Sequence, residues 1–178
     1  MHCLTDTECQ EWLRQENIDA VDARGLPEVV GDYEVFFEAP KDARTQHTLA
    51  HEMIEWIGEI GTALLWLSDW PFAAPSENAL VTALRCGHGE RRSLIDAPGH
   101  LFRAEERNEL VGWVFLMMGF GWDAYLFVSP FRGSMFQTSH EDFVWTTTSE
   151  VQVHRRAQQI VRDYKLTVRR ETLTDAGK

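Results

Sequence analysis

The sequence predicts an α+β domain or a mixed three-layer α/β domain, in which about five helices pack on a small mixed sheet of three to five strands. Segments with apolar residues at helical spacing alternate with short runs rich in β-formers. The close spacing of elements within residues 124–138 predicts at least one antiparallel strand pair. The 178 residues are 44% hydrophobic and 25% charged, which is typical of one folded domain. We expect residues 1–178 to form a single domain with a frayed tail at 172–178.

The first half of the chain contains signals for two helices and two strands. Thr5 and Glu8 have the spacing of a capping box, which predicts a helix to about residue 15. Residues 33–39 are rich in β-formers and predict a strand. Asp42 is the predicted cap of a helix over residues 43–58, and the apolar run at 62–70 predicts a strand buried on both faces.

After these elements, Ser76 is the predicted cap of a helix that ends near Cys86. Residues 103–118 predict a buried central helix, because the segment from Leu110 onward is apolar on every side. Strands are predicted at 124–129 and 134–138, and a final helix at about 150–164. Residues 139–145 fit either a short helix or a strand, and residues 90–102 stay ambiguous around the turn signal Pro98-Gly99.

Cysteine usage and the amino-terminal residues indicate where the protein works. The chain has three cysteines and no Cys-x-x-Cys pair, which argues against a disulfide framework and a structural zinc site. The first residues lack the basic start and apolar run of a secretory signal. The longest apolar stretch, at residues 110–122, is too short to span a bilayer. We therefore expect a cytoplasmic protein with no membrane association.

The charge is unevenly distributed along the chain. The net charge is −11; residues 1–89 carry 16 Asp and Glu against five Lys and Arg, whereas residues 90–178 carry 12 of each. Such acidity disfavours nucleic acid and favours a basic protein partner. It also fits an ordinary solubilising surface. The basic carboxyl-terminal segment is expected to pair with the acidic first half.

Three predicted loops supply the candidate binding residues. They are Trp70 and Glu77 in residues 70–78, Asp96, His100 and Arg103 in residues 96–103, and Trp122 and Asp123 in residues 122–123. The aromatic loops fit a pocket, but the closed end of a core explains them better. His100 next to a helix start fits a general base or an anion site, and it also fits a structural loop.

A separate pattern, outside these loops, places His47, His51 and Glu55 at intervals of four residues. Two histidines four residues apart on a helix are typical of transition-metal pairs. These side chains, however, lie opposite the apolar stripe of their helix, and a solvated polar face explains the arrangement. We therefore expect no metal and no cofactor.

The sequence contains no nucleophile elbow, Walker A motif or dinucleotide fingerprint, and the adjacent Cys86 and His88 are weak support for a catalytic dyad. Our first hypothesis is a non-catalytic acidic protein that binds a protein partner, in the manner of an immunity or inhibitor module. The second is a small hydrolase or ligand-binding enzyme with its site in the three loops. The third is a structural homo-oligomer, such as a homodimer, that buries exposed Trp and Phe.

Overall fold

The computed structural model describes residues 1–18, 31–70 and 73–173, with side chains to residue 169. The strands are β1 His2–Leu4, β2 Tyr33–Glu38, β3 Thr62–Asp69, β4 Gly99–Arg103, β5 Asp123–Ser129, β6 Met135–Ser139, β7 Phe143–Thr148 and β8 Val168–Leu173. The helices are α1 Asp6–Gln15, α2 Ala43–Ile57, α3 Pro75–Gly87, α4 Arg107–Phe120 and α5 Val151–Asp163. The α+β class and the five helices agree with the sequence prediction.

The described strands form one sheet of eight strands in the order β1-β4-β3-β5-β6-β7-β2-β8. Every neighbouring pair is antiparallel. The prediction of three to five strands in a mixed sheet is therefore wrong in number and direction. The antiparallel β5–β6 pair, expected from the spacing of residues 124–138, is confirmed.

The missed strands are β1, β4 and β8, and each lacks a readable local signal. β1 has only three residues. β4 begins at Gly99, directly after the Pro98 that suggested a turn. β8 reads Val-Arg-Arg-Glu-Thr-Leu and has no apolar alternation. The segment at 139–145, which fitted a helix or a strand, contributes residues to β6 and β7, and of the ambiguous residues 90–102 only 99–102 form a strand.

Local capping explains why the helix positions were predictable. Thr5 and Glu8 form the expected capping box, with the Thr5 N–H donating to Glu8 Oε2 at 2.7 Å. Asp42 Oδ1 accepts the Thr45 N–H at 2.9 Å. α3 is capped at Ala74 rather than Ser76, because Pro75 occupies its first turn.

The sheet separates two hydrophobic cores. Ala63, Leu65 and Leu67 of β3 face the larger core, together with buried residues of α2, α3, α4 and α5. Leu64 and Trp66 of the same strand face a smaller core that contains α1. This alternation confirms the prediction that β3 is buried on both faces.

α4 is the predicted central helix, although it begins at Arg107 after a 3₁₀ turn over 104–106. Its buried side chains include Leu110, Trp113 and Val114. Phe115 and Leu116 are partly exposed, so the helix is not buried on every side. No helix in the described residues combines the length and apolar composition that a bilayer crossing requires.

The described acidic side chains of the first half do not all lie on one surface. α1 carries three of them and α2 carries two, and these helices lie on opposite faces of the sheet. The basic carboxyl-terminal segment meets this acidic half as expected, through Arg156 to Glu52 at 2.5 Å and Arg169 to Glu38 at 3.4 Å. The tail predicted at 172–178 overlaps β8, in which residues 172 and 173 pair with β2; residues 174–178 lie outside the described residues.

Gly99 allows α1 to approach the sheet closely. A Cβ at this position would overlap the Cys9 sulfur and lie 3.0 Å from Leu4 Cβ. We expect Gly99→Ala to lower the free energy of unfolding, measured by chemical denaturation, by about 1–3 kcal/mol. Because Cys9→Ala removes the obstructing sulfur, the double variant is expected to lose less than the two single variants together.

Gly112→Ala is the matched control, because a Cβ at that helical position meets nothing within 4 Å. It is expected to leave stability unchanged or raise it by up to about 1 kcal/mol. Strict additivity of the Gly99 and Cys9 substitutions would contradict this account of the contact.

Candidate functional site

The structure brings together three of the seven predicted site residues. Asp69 and Asp123 are paired in the register of β3 and β5, so the segments that follow and precede them are neighbours. The Trp70 and Trp122 rings lie 6.3 Å apart between centroids. Trp70 and Asp123 line one groove, whereas Trp122 is 1% exposed and lies within the larger core. Pro71 and Phe72 of the predicted 70–78 loop lie outside the described residues.

Three other predicted residues make local contacts elsewhere. Glu77 Oε2 accepts the Ala74 N–H at 2.8 Å and caps α3. Asp96 Oδ2 accepts from Ser93 Oγ at 2.6 Å within an exposed turn. Arg103 is an exposed residue at the end of β4.

His100 does not lie in a loop at a helix start, which corrects the role expected for it. It lies in β4, is 0% exposed and packs on Trp113 with ring centroids 4.3 Å apart. Its Nε2 is 3.5 Å from Nη1 of the buried Arg85. Burial, and then the neighbouring guanidinium, lower the pKa of His100 to about 3. A neutral imidazole sealed from solvent has no access to substrate.

A groove of about 470 Å³ lies on the sheet face that carries α1. We call it the acidic groove. Its floor includes Trp66 of β3, Tyr125 of β5 and Gln137 of β6, which are cross-strand neighbours in one row. Asp6 and Gln10 of α1 form one wall, and Ile95 and Pro98 are also in its lining. Its volume falls in the range of small-molecule sites.

Three carboxylates line the acidic groove, from Asp6, Asp69 and Asp123. Asp6 Oδ1 accepts the indole N–H of Trp66 at 2.9 Å, which fixes the wall against the floor. No lysine, arginine or histidine is among the described residues that line the groove. The groove therefore concentrates negative potential next to the partly exposed Tyr125, whereas Trp66 is 2% exposed.

Asp69 and Asp123 are like charges placed opposite each other, at the end of β3 and the start of β5. Such cross-strand pairs are destabilising in isolation. His140, directly after β6, partly compensates, because its backbone N–H donates to Asp123 Oδ1 at 2.6 Å. Its ring Nδ1 lies 2.9 and 3.0 Å from the two Asp123 oxygens. Since an ionised carboxylate only accepts hydrogen bonds, Nδ1 carries the proton.

The same three residues offer ligand atoms that all lie within 4.8 Å of one another. Two carboxylates and one imidazole are a donor set that a divalent metal accepts. Asp69 and His140 are exposed, and exposed acidic groups often meet without a metal. The absence of a cofactor stays a prediction.

His140 also borders a second cavity, of about 220 Å³, next to the carboxyl end of α4. Gln46, which is 8% exposed, is among its lining residues and donates through Nε2 to Pro40 O at 2.8 Å. Lys41 and Asp142, which form an ion pair, complete its polar side. His140 therefore stands between this cavity and the acidic groove.

No known protein family, curated protein or solved structure matches the chain. Its function therefore has to be inferred from the geometry and chemistry of its own side chains. The acidic groove is the place where concavity, charge and aromatic surface coincide.

Sequence reasoning missed Asp6, Asp69, Tyr125 and His140 as site residues. Asp69 immediately precedes the candidate Trp70, and His140 lies two residues after the strand predicted at 134–138. Polar residues at strand ends were thus visible as a signal. Their convergence depends on β3, β5 and β6 being neighbours, which local sequence does not specify.

Proposed function

We propose that the protein is a non-catalytic binding module whose acidic groove accepts a positively charged organic group. The observation that carries this proposal is the coincidence of three carboxylates with aromatic lining residues, and with no basic residue among the described part of the lining. An alkylammonium or guanidinium group satisfies both features, because its charge pairs with carboxylates and its stem contacts the rings.

The crowding of Asp69 and Asp123 supports a cationic ligand. Their mutual repulsion costs stability, and the single imidazole beside them contacts only Asp123 at hydrogen-bond distance. The Asp69 carboxylate makes no hydrogen bond or ion pair with another described residue. A bound cation relieves this repulsion, so part of the binding free energy comes from the protein itself.

The cationic group has two possible sources: a Lys or Arg side chain of a basic protein partner, or a free small amine. A protein partner agrees with the acidity of the chain, which speeds capture of basic proteins and repels nucleic acid. The groove then receives one side chain of that partner as an anchor. The basic partner and the cytoplasmic location stay predictions.

A homodimer also stays a prediction, with less support from surface composition. The exposed large hydrophobic residues are Leu80, Leu84, Ile95, Val151 and Val168. No Trp or Phe is exposed among the described side chains, although the homo-oligomer hypothesis required such residues at its interface.

Asp69→Asn is expected to weaken binding of butylguanidinium and of an acetylated hexa-arginine amide by about tenfold. The reason is the loss of one charge that is free to pair with the ligand. Calorimetric titration in the presence of EDTA measures the affinities without interference from metals. The affinity of the wild-type protein is also expected to fall as salt is raised.

Glu105→Gln is the matched control, because it removes an exposed carboxylate outside the groove. It is expected to leave both affinities within about twofold. Tight binding of the peptide with no binding of butylguanidinium indicates a protein partner. Equal affinities of the peptide and of butylguanidinium, counted per guanidinium group, indicate a small amine. Lack of binding to both probes, or equal loss in the two variants, rules the proposal out.

A hydrolase remains the second candidate because of one observation, the Asp123–His140 contact at 2.9 Å. A carboxylate that orients the protonated Nδ1 leaves Nε2 as a base for activating water. His140→Gln separates the candidates: it abolishes turnover of an ester or phosphoester panel by a hydrolase and preserves cation binding by a binding module.

A further inference from the structure

The described surface opposite the acidic groove carries two exposed histidines one turn apart on α2. His47 and His51 are both exposed, and their ring centroids are 4.7 Å apart with the planes at 68°. Neither ring hydrogen-bonds another described residue. The two imidazoles are therefore free to coordinate a common ion.

The rings are held on a rigid support. Leu49 and Ala50, between them in sequence, are 0% exposed and anchor this part of α2 in the larger core. Phe115 of α4 contacts His47 edge to face, with ring centroids 5.7 Å apart. This contact restricts the His47 side chain, so less rotamer freedom is lost when an ion binds.

Contrary to the expectation of no metal drawn from the sequence, we propose that His47 and His51 form a binding site for a divalent transition-metal ion, with Cu²⁺ bound most tightly. Neutral imidazole is a borderline ligand that suits Cu²⁺, Ni²⁺ and Zn²⁺, and affinity for such ligands peaks at Cu²⁺. The two imidazole nitrogens occupy two coordination positions of the ion, and water molecules occupy the others. The site lies across the sheet from the acidic groove and does not depend on the function proposed for that groove.

Titration with CuCl₂, followed by calorimetry and electron paramagnetic resonance, tests the pair. The parent for this experiment carries His2→Gln, which removes an exposed imidazole near the chain start. Because the second imidazole binds within the same molecule, His51→Gln is expected to weaken Cu²⁺ binding about a hundredfold. Cu²⁺ is also expected to raise the melting temperature of the parent, since the native helix fixes the spacing.

The double variant His51→Gln/Glu55→His is the matched control. It keeps two exposed imidazoles on one face of α2 but places them two turns, about 12 Å, apart, too far for one ion. We expect it to bind like His51→Gln and to lose the spectrum of two nitrogen ligands. Parent-like affinity in either variant overturns the proposal. Unchanged Cu²⁺ binding in Asp69→Asn separates this site from the groove.

Discussion

Replacing Arg85 with methionine is expected to lower the free energy of unfolding by about 3 kcal/mol. The guanidinium is 2% exposed and donates to three backbone oxygens of one loop: Ala97 O at 2.8 Å, Ser93 O at 3.2 Å and Arg92 O at 3.4 Å. Methionine fills similar space but removes the guanidinium donor from all three carbonyls, of which Ser93 O retains the Ala97 N–H. Chemical denaturation of the variant measures the loss.

Arg91→Met is the surface control, because Arg91 is exposed, and its effect is expected to stay within about 0.5 kcal/mol. Arg85→Lys is expected to recover only part of the loss, since one ammonium does not reproduce a planar fork. Full recovery in Arg85→Lys contradicts the importance of the fork. A loss below about 1 kcal/mol in Arg85→Met contradicts the account as a whole.

His100 is expected to make the folded protein sensitive to mild acid. The pKa of His100 is lowered to about 3 in the folded state, against about 6.5 when unfolded. The unfolded chain therefore binds the extra proton between these values, and stability falls as pH drops below about 6.5. From pH 7.5 to pH 5 the contribution of this one group is a loss of about 2 kcal/mol.

The measurement compares unfolding free energies of the wild type and His100→Gln at pH 7.5 and pH 5. The variant lacks the titrating group, so its stability is expected to change about 2 kcal/mol less over this interval, whatever its absolute stability. Glu90, whose pKa is lowered to about 2 by its bond to Arg92, acts mainly below this interval. His140→Gln is the exposed control. Equal pH dependence in wild type and His100→Gln would refute the prediction.

The helices were predictable because their signals are local. The Thr5–Glu8 capping box and the Asp42 cap each lie within three residues of the groups that they satisfy. β1 has no such signal: it is a strand because β4, about a hundred residues later, pairs with it. Short strands of this kind are specified by tertiary contacts, so the sequence underestimates the number of strands in the sheet.

The candidate site was predictable only where two signals coincided. Trp70, Trp122 and Asp123 were chosen as aromatic and acidic residues at strand ends, and the β3–β5 pairing brings them together. His100 was misplaced because Pro98-Gly99 indicated a turn, although His100 and Phe102 point to the same core across a short strand. The local sequence around His100 fits a loop as well as a strand. The burial of its side chain distinguishes the two.

Charge counted along the chain was a poor guide to charge in space. The acidic first half supplies helices to both faces of the sheet, and part of its charge is neutralised by Arg156 and Arg169. The negative potential that matters for the proposed ligand comes from three aspartates, one of them in the second half of the chain.

The place of β2 in the sheet has a consequence during synthesis on the ribosome. β2 is made early, yet its two neighbours are β7 and β8, formed by residues 143–148 and 168–173. The emerging polypeptide thus contains a β2 segment, with Val35 and Phe37, whose two hydrogen-bonding edges are both unpaired. These edges stay unpaired until β7 and β8 have left the exit tunnel. Closing such distant pairs is slow, and unpaired edges invite association with other chains. β2 is thus shielded only by strands that are translated long after it.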